Sequence, residues 1–543
     1  MHSFDSIPED IIRAILAYAI RPATARTASS WTLAHPLALV CRRWRALALA
    51  MLYKNAFIRC EVGFKKGKCV FQRNEAWRTN VNCISALGHG HLVKELVIGI
   101  DTYVNLLMVL QQVIGLLNLH SVPEWPQLTA ISIDVDFIER SLDDNFINEP
   151  VTALSDIALM AEGFFQSLPF ISSIKTMTRD SGLGTFSNNL IDVYGEKLRR
   201  ICCDAPLALT MPQFSSQLTH LEITVDIPET HALPLVCTDS LLDLHLLDVP
   251  ITFNWEHFED ANALTDTISF DRLVSLQIDF RPCVSYTADD VYNAQAQSST
   301  FKTKLHFPSL RQLRISDCLP YSGILREAVF PSCLESVHIS GEPVCVQLFT
   351  RYIPSAINEF RAMLYHYSEN SFEEVYQLTN YLFGEECVAT RSVLELDICT
   401  ALLDVNQISW VNITDLLLHN MHFSALVELV VRLPALICIN AYGLEFEQDT
   451  VTAAESEMQS PNHVAPFNTR LREMSLVHYP PRGTSDPGFI MLACYLAVRV
   501  TSLEVLALSE EYLPKCRVLF RTLGITYPHI QNVLIRDTVQ NIW

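Results

Sequence analysis

The sequence lacks long hydrophobic runs, a high density of charge and any disulfide framework. Its longest apolar stretches, residues 106–119 and 489–498, are interrupted or too short to cross a bilayer, so we expect no membrane partner. Charged residues make up 18% and hydrophobic residues 49%, which is typical of a folded chain rather than a disordered one. The 16 cysteines show no Cys-x-x-Cys spacing, and the pattern indicates reduced, mostly buried thiols.

The chain also lacks the features of secretion and of nucleic-acid binding. No basic start precedes an apolar run at the N-terminus, so we expect a cytoplasmic and/or nuclear location. Residues 1–100 hold 14 Lys and Arg against 6 Asp and Glu, whereas the rest hold 25 against 54. An acidic body repels nucleic acid and is compatible with a basic protein partner. The basic and aromatic residues within 57–90 are interpreted as a solvated face.

Motifs of catalysis and metal binding are missing as well. No phosphate-binding loop, nucleophile elbow or His-Glu-x-x-His pattern occurs. His89 and His91 have no Cys or carboxylate partners at ligand spacing, so we expect neither a metal nor a cofactor. The sequence predicts a non-catalytic protein, and an enzyme with an unrecognised site is the weakest alternative.

Two amphipathic segments occupy the first sixty residues. Ser6 and Glu9 have the spacing of a capping box, and the apolar residues behind them recur on one helical face. The second segment begins at Pro36 and repeats apolar residues every three or four positions. Short helices of this kind cannot close a sizeable core alone, so we expect them to offer apolar surface to something else.

These segments resemble the F-box. Ile7-Pro8-Glu9-Asp10 is similar to the Leu-Pro-x-Glu start of that family, and Val40-Cys41-Arg42-Arg43-Trp44 is similar to its later Val-Cys/Ser-x-x-Trp. The resemblance implies a three-helix module that docks on the Skp-type adaptor of a cullin-based (SCF) ubiquitin ligase. The connection at residues 21–33 is longer than in the family and is expected to form a loop. An ordinary amphipathic hairpin is the alternative interpretation.

The resemblance also implies an adaptor contact made, or supported from beneath, by a set of mostly apolar residues. These are Ile7, Pro8, Ile11, Ile15, Leu37, Val40, Cys41 and Trp44.

One pattern, apolar-x-x-apolar-x-apolar, recurs through the rest of the chain. Fourteen clear copies begin at Val93, Leu128, Leu198, Leu218, Leu241, Leu273, Leu310, Leu334, Val393, Ile413, Leu436, Leu471, Leu503 and Ile530. Weaker copies are placed at Ile174 and Ile357. Neighbouring copies often lie about 20–25 residues apart, which is the period of leucine-rich repeats. The last apolar pair alternates as the inward face of a short strand requires.

The sequence therefore predicts an α/β protein with an N-terminal helical F-box at 1–60 and a connecting or capping segment at 61–92. An irregular leucine-rich-repeat solenoid, shaped as a horseshoe, follows at 93–543. A non-solenoid α/β domain with many short strands is the alternative. Segments 344–353 and 424–433 are predicted helices, and the polar stretches 287–303 and 450–468 are predicted exposed loops.

The predicted function is the substrate-recognition subunit of an SCF-type ubiquitin ligase. Its partners would be the Skp-type adaptor, through it a cullin, and an unidentified protein substrate. The polar residues between the inward apolar positions are expected to contact that substrate, for example Glu222, His245, Gln277 and Arg314. The alternative is a leucine-rich-repeat interaction scaffold without ligase function.

Overall fold

The computed structural model describes most of the predicted strand regions and divides the chain into two compact units. The described residues are 9–13, 42–61, 76–102, 106–137, 168, 170–178, 197–206, 217–224, 239–249, 267–281, 304–318, 328–341, 346, 357–365, 372–384, 391–397, 404–459, 465–467, 469–479 and 486–538. The first unit comprises Met1–Asp248 and Glu256–Ala263, and the second comprises Val249–Trp255 and Leu264–Trp543. No helix within the described ranges has the length and apolar character needed to span a bilayer.

The first unit is built on one sheet whose strands are parallel except at one edge. Its strands are β1 Asn55–Glu61, β2 Ala76–Thr79, β3 Glu95–Thr102, β4 Ala130–Phe137, β5 Ser173–Thr178, β6 Arg200–Pro206, β7 His220–Thr224 and β8 Asp243–Val249. They lie in the order β2-β1-β3-β4-β5-β6-β7-β8, with β2 antiparallel to β1. Its helices are α1 Arg42–Leu52, α2 Val81–Ala86 and α3 Leu106–Leu119, and residues 9–13 are also helical.

The second unit repeats the same design with more helices. A small parallel sheet joins β9 Thr267–Ser269, β11 Lys304–His306 and β13 Ala328–Val329. The main parallel strands, in spatial order, are β10 Ser275–Phe280, β12 Gln312–Cys318, β14 Ser336–Gly341, β15 Glu359–Tyr365, β16 Arg391–Asp397, β17 Asp415–His419, β18 Cys438–Tyr442, β19 Glu473–Val477, β20 Val505–Leu508 and β21 Leu534–Asp537. Its helices are α4 Phe372–Phe383, α5 Phe423–Arg432, α6 Gln448–Gln459, α7 Pro487–Arg499 and α8 Leu513–Leu523.

The repeated sequence pattern forms these strands because its three apolar positions all point inward. In the copy at Leu218, the side chains of Leu218, Leu221 and Ile223 are almost fully buried. Their neighbours on β7 are half-exposed, and β10 and β14 show the same alternation. The expected α/β fold with parallel strands at repeat intervals is confirmed. The helical F-box module stays a prediction, because most of its residues lie outside the described ranges.

Two of the fourteen copies are assigned in the wrong phase. Leu394 pairs with Leu416, the second apolar position of its own copy, so the copy predicted at Val393 begins two residues earlier. The run Leu394-Glu-Leu-Asp-Ile398 is apolar at every second residue, and a shift of two keeps the same face inward. The last copy is shifted in the opposite direction: Ile535 pairs with Leu506, a second apolar position, so this copy begins two residues later than predicted.

The weaker copies also need adjustment. The copy at Ile357 is confirmed by the burial of Phe360 and Ala362 on β15. Ile174 pairs with Ile131, which makes it the second apolar position of a copy that begins at Ile171. A further copy was missed, because β1 lies in the same register beside β3 and buries Ala56 and Ile58. The sheet of the first unit therefore starts before residue 93.

The helices between the strands are predicted unevenly. The helix predicted at 424–433 is confirmed as α5, whereas 344–353 lies outside the described ranges except for residue 346. The loop predicted at 450–468 is wrong at its start, where α6 buries Val451, Ala454 and Met458. These residues recur at steps of three and four, but the polar composition of the segment hides that pattern. The predicted loop at 287–303 lies outside the described ranges.

The apolar run 489–498 becomes a buried core helix of the second unit. Asp486 caps α7 by accepting a hydrogen bond from the Gly488 amide at 2.8 Å, and Pro487 occupies the first turn. Nearly the whole helix is buried, and it contacts both α6 and α8. This packing explains why the segment is apolar on every side.

The edge of the first sheet is closed by side chains as well as by β2. The Phe57 amide donates to Oδ1 of Asn80 at 2.7 Å, and Nδ2 of Asn80 donates to the Asn55 carbonyl at 3.0 Å. The Thr79 hydroxyl donates to the Phe57 carbonyl at 2.8 Å. These bonds satisfy backbone groups that a parallel partner strand would otherwise engage.

Candidate functional site: a charged pocket on the second unit

A pocket of about 290 Å³ lies on the outward face of strands β15 to β21. Outward residues of these strands alternate with the buried leucines and isoleucines, so the strand register decides which of them become neighbours. Three groups of charged residues surround the pocket, and small polar side chains form part of its lining.

The first group is centred on Arg391. Its guanidinium donates to both carboxylate oxygens of Asp415, at 3.2 and 3.0 Å, and lies 3.6 Å from Glu359. These three residues belong to β16, β17 and β15. The hydrogen bonds with Asp415 raise the pKa of the Arg391 guanidinium. A two-pronged arginine–carboxylate contact also fixes the orientation of both side chains.

The second group is centred on a buried carboxylate. Glu395 is almost inaccessible, receives a hydrogen bond from Arg361 at 3.0 Å and lies 3.8 Å from Nε2 of His419. Burial acts to raise the pKa of Glu395, but the neighbouring His419 ring and the hydrogen bond from Arg361 outweigh it, so the pKa is lowered. The His419 ring stacks on Tyr442 with centroids 5.3 Å apart.

The third group spans two strand intervals. Arg536 on β21 donates to Glu473 on β19 at 3.2 Å, and passes over β20. Ala507, the register partner of Arg536 on β20, is small and buried, whereas the register partner of Glu473 is Val505. The Arg536 side chain therefore crosses β20 on a diagonal.

Cys438 lies between two of these groups. Burial, together with the neighbouring Asp415 and Glu473 carboxylates, raises the pKa of its thiol to about 12. A thiol in this setting stays protonated and is a poor nucleophile. The described residues of the pocket therefore suit binding by charge and hydrogen bonds better than covalent chemistry.

The residues predicted to contact a substrate all lie on outward strand positions, but none lines this pocket. In the first unit, Glu222 pairs in register with His245, and their side chains approach to 3.8 Å. In the second unit, Gln277 lies beside Arg314 and donates to Asp279 at 3.0 Å. The sequence does not single out the pocket residues, because which charged side chains meet depends on the alignment of neighbouring strands.

The residues implied as an adaptor contact are described only in part. Ile11 lies in the helical residues 9–13 with 48% of its surface exposed, and Glu9 forms an ion pair there with Arg13 at 2.6 Å. Trp44 is buried on α1 together with Leu47 and Ala48. The other members lie outside the described residues: Ile7, Pro8, Ile15, Leu37, Val40 and Cys41.

His89 and His91 each have a local contact partner. The His89 ring packs on Tyr53 with centroids 4.9 Å apart, and burial lowers its pKa. Nδ1 of His91 lies 3.0 Å from the Gly88 carbonyl oxygen. Across the described part of the chain, no group of three or more His, Cys, Asp or Glu residues is arranged to hold a metal ion.

Comparisons with known proteins leave the family open. No family description matches the chain, and no curated protein is similar to it. Among solved structures, the chain is similar to one from the crystal structure of the Rad7 and Elc1 complex in yeast, at 11% identity and a TM-score of 0.25. The match covers 79% of this chain and 82% of that chain. A likeness of this degree carries no argument about function.

Proposed function

We propose that the protein is the substrate-recognition subunit of an SCF-type ubiquitin ligase, acting in the cytoplasm or nucleus. The observation that carries the proposal is the F-box-like order of residues at 7–16 and 36–47, which precedes an array of parallel strands in the same chain. The first part would bind the Skp-type adaptor, and through it a cullin. The strands would bind a protein substrate.

The described N-terminal residues are compatible with an adaptor contact. Trp44, Leu47 and Ala48 bury one face of α1, while Arg42 and Arg45 stay exposed on the other side. Ile11 is a large apolar residue left accessible in the helical residues 9–13. An accessible isoleucine of this size is available for contact with a second protein.

The outward faces of the strands suit recognition of a substrate. They carry ionic and hydrogen-bonding groups held in fixed positions by the register of neighbouring strands. Binding a substrate there would raise its local concentration near a ubiquitin-conjugating enzyme that the cullin carries. The protein itself would make no covalent bond.

Binding of a purified Skp-type adaptor to the full chain tests the proposed adaptor contact of the N-terminal residues. Ile11→Lys should weaken it at least about tenfold, because an apolar contact is lost and a charge is placed against the adaptor. Leu119→Lys, at another exposed apolar residue, is the matched control and should bind as the unchanged chain does. Equal binding by both variants and the unchanged chain would contradict the adaptor role.

A second measurement separates a ligase subunit from a scaffold. Proteins that bind the strands should accumulate when the proteasome is inhibited, and should accumulate equally without inhibition in cells that carry Ile11→Lys. Adaptor binding without any change in the turnover of bound proteins would favour the scaffold alternative.

A further inference from the structure

The charges around the pocket alternate in sign across the strands and break the alternation at Cys438. From β15 to β17 the order is Glu359, Arg391, Asp415, with each carboxylate beside the arginine. Beyond Cys438 the order resumes with Glu473 and Arg536. Asp415 and Glu473 therefore face each other across Cys438, which is the register partner of both. Each carboxylate is also paired with an arginine, Asp415 with Arg391 and Glu473 with Arg536, but the residue directly between the two carboxylates is the uncharged Cys438.

Three carboxylates and three arginines line the pocket, but at Cys438 itself the carboxylates have the larger effect. The two carboxylates raise the pKa of Cys438 more strongly than the two arginines lower it. The protonated thiol carries no charge that could offset the carboxylates. A positive group placed above Cys438 would gain from both carboxylates, in a partly buried position where screening by solvent is weaker than at an open surface.

The pocket also offers polar groups that the fold has not used. Ser475 is only 7% exposed and lines the pocket, yet its hydroxyl has no hydrogen-bond partner among the described residues. Beside it, the Asn440 amide has only a long contact of 3.9 Å from Nδ2 to Sγ of Cys438, which leaves its carbonyl oxygen available. The Ser475 hydroxyl is not one of the fully buried polar atoms without a partner, so it is open to the pocket and can accept a hydrogen bond from a bound group.

The spacing of these groups favours an organic cation over a metal ion. Asp415 and Glu473 belong to strands two intervals apart, so their backbones are separated by about 10 Å. A divalent metal needs several oxygen ligands at about 2–2.6 Å, and within the described residues no group of three or more His, Cys, Asp or Glu residues is arranged to hold one. The pocket volume of about 290 Å³ matches the smallest ligand sites and suits one extended side chain.

We propose that this pocket binds the lysine or arginine side chain of a basic segment on a partner protein. The cation lies between Asp415 and Glu473 and donates to the Ser475 hydroxyl and the Asn440 carbonyl. The net charge of −21 assists the approach of such a partner. The inference rests on the proposed function in that the partner is the substrate held by the strands.

Defined peptides test the pocket on the full chain. The probes are blocked pentapeptides with lysine, arginine or norleucine at the centre of four glycines, and binding is followed by saturation-transfer NMR. We expect the lysine or the arginine peptide to saturate and the norleucine peptide not to bind. Equal signals from all three peptides would overturn the proposal.

Variants locate the binding. Glu473→Gln should weaken it about tenfold, since a hydrogen bond to a charged group is lost. Ser475→Leu should abolish it by filling the pocket without a change of charge. Glu335→Gln removes a carboxylate of similar exposure, paired with Arg311 outside the pocket, and should change affinity less than twofold. An equal loss in Glu335→Gln and Glu473→Gln would show only general attraction and would overturn the proposal.

The same samples separate this inference from the ligase role. Circular dichroism confirms that each variant is folded, and Asp415→Asn replaces any variant that is not. Glu473→Gln should bind the Skp-type adaptor as the unchanged chain does. If the unchanged chain binds the peptide but not the adaptor, and Glu473→Gln loses peptide binding, the ligase role is rejected and the pocket is supported. Adaptor binding without any peptide binding would reject the pocket alone.

Discussion

Removal of Arg361 should destabilise the second unit far more than removal of Arg311, although both arginines form ion pairs of the same length. Arg361 meets Glu395 at 3.0 Å, and Arg311 meets Glu335 at 3.0 Å. The pairs differ in burial, since the Glu395 side chain is 3% exposed and that of Glu335 is 47% exposed. Comparing the two variants therefore isolates the effect of solvent exposure on an arginine–glutamate ion pair.

The expected magnitudes follow from that difference. Arg361→Ala leaves a buried carboxylate with His419 as its remaining partner, and an uncompensated buried charge costs about 3 kcal/mol of unfolding free energy. Arg311→Ala leaves a carboxylate that water already solvates, so the loss should stay below about 1 kcal/mol. The double variant Arg361→Met/Glu395→Leu should recover most of the loss, because no charge remains buried.

The effect of Arg361→Ala should also depend on pH. The pKa of Glu395 lies below its ordinary value of 4.5, so the stability it contributes is present above that pH and is lost as pH falls through the lowered pKa. Without Arg361, burial raises this pKa and the carboxyl group takes up a proton at a higher pH. The difference in unfolding free energy between the two chains should be largest near pH 7 and should shrink as pH falls.

Hydrogen exchange followed by mass spectrometry measures the loss of stability in the region around Glu395. Peptides that cover β15 to β17 report the free energy of opening in that part of the second unit, without requiring the whole chain to unfold in one step. The reasoning is refuted if Arg361→Ala and Arg311→Ala lose the same stability near pH 7, or if the loss in Arg361→Ala is unchanged at low pH.

Two further predictions concern backbone strain and thiol reactivity. Gly443 has φ +66°, and an added Cβ would lie 2.5 Å from Oδ1 of Asn420, so Gly443→Ala should cost about 2 kcal/mol by urea unfolding. Gly115→Ala, where a Cβ meets nothing, should be neutral or stabilising by up to about 1 kcal/mol, and the reverse order would contradict the strain argument. Cys438 and Cys202, each with a pKa of about 12, should resist iodoacetamide near pH 8 while the exposed Cys83 and Cys333 are alkylated. Equally fast modification of all four in a mass-spectrometric time course would show that burial does not protect the first two.

Much of the fold is predictable because the inward positions of each strand obey a local rule. Three apolar residues at fixed spacing define a strand regardless of its neighbours, as at Leu218 and Leu471. The rule fails where a run of alternating apolar residues fits two starting points that differ by two residues, as at Val393. It also fails for α6, where three small or flexible apolar residues among polar ones suffice to bury one face.

The pocket could not be predicted in the same way. Its contacts join residues that are far apart in sequence, such as Glu473 and Arg536, which are 63 positions apart. That pair depends on the register of three strands, in which Arg536 is level with Ala507 and Glu473 is level with Val505. Charge sign at outward positions was visible in the sequence, but which charges meet is decided only when the strands are aligned.

The closed edge of the first sheet has a consequence for any shortened version of the chain. Asn80 and Thr79 occupy backbone groups of β1, and β1 in turn covers the flank of β3 along six residues. A fragment that starts at β3 would leave that flank unpaired, and identical fragments would offer one another a template for strand addition. Such a fragment should form oligomers or precipitate. The residues before β3 therefore also prevent self-association of the chain.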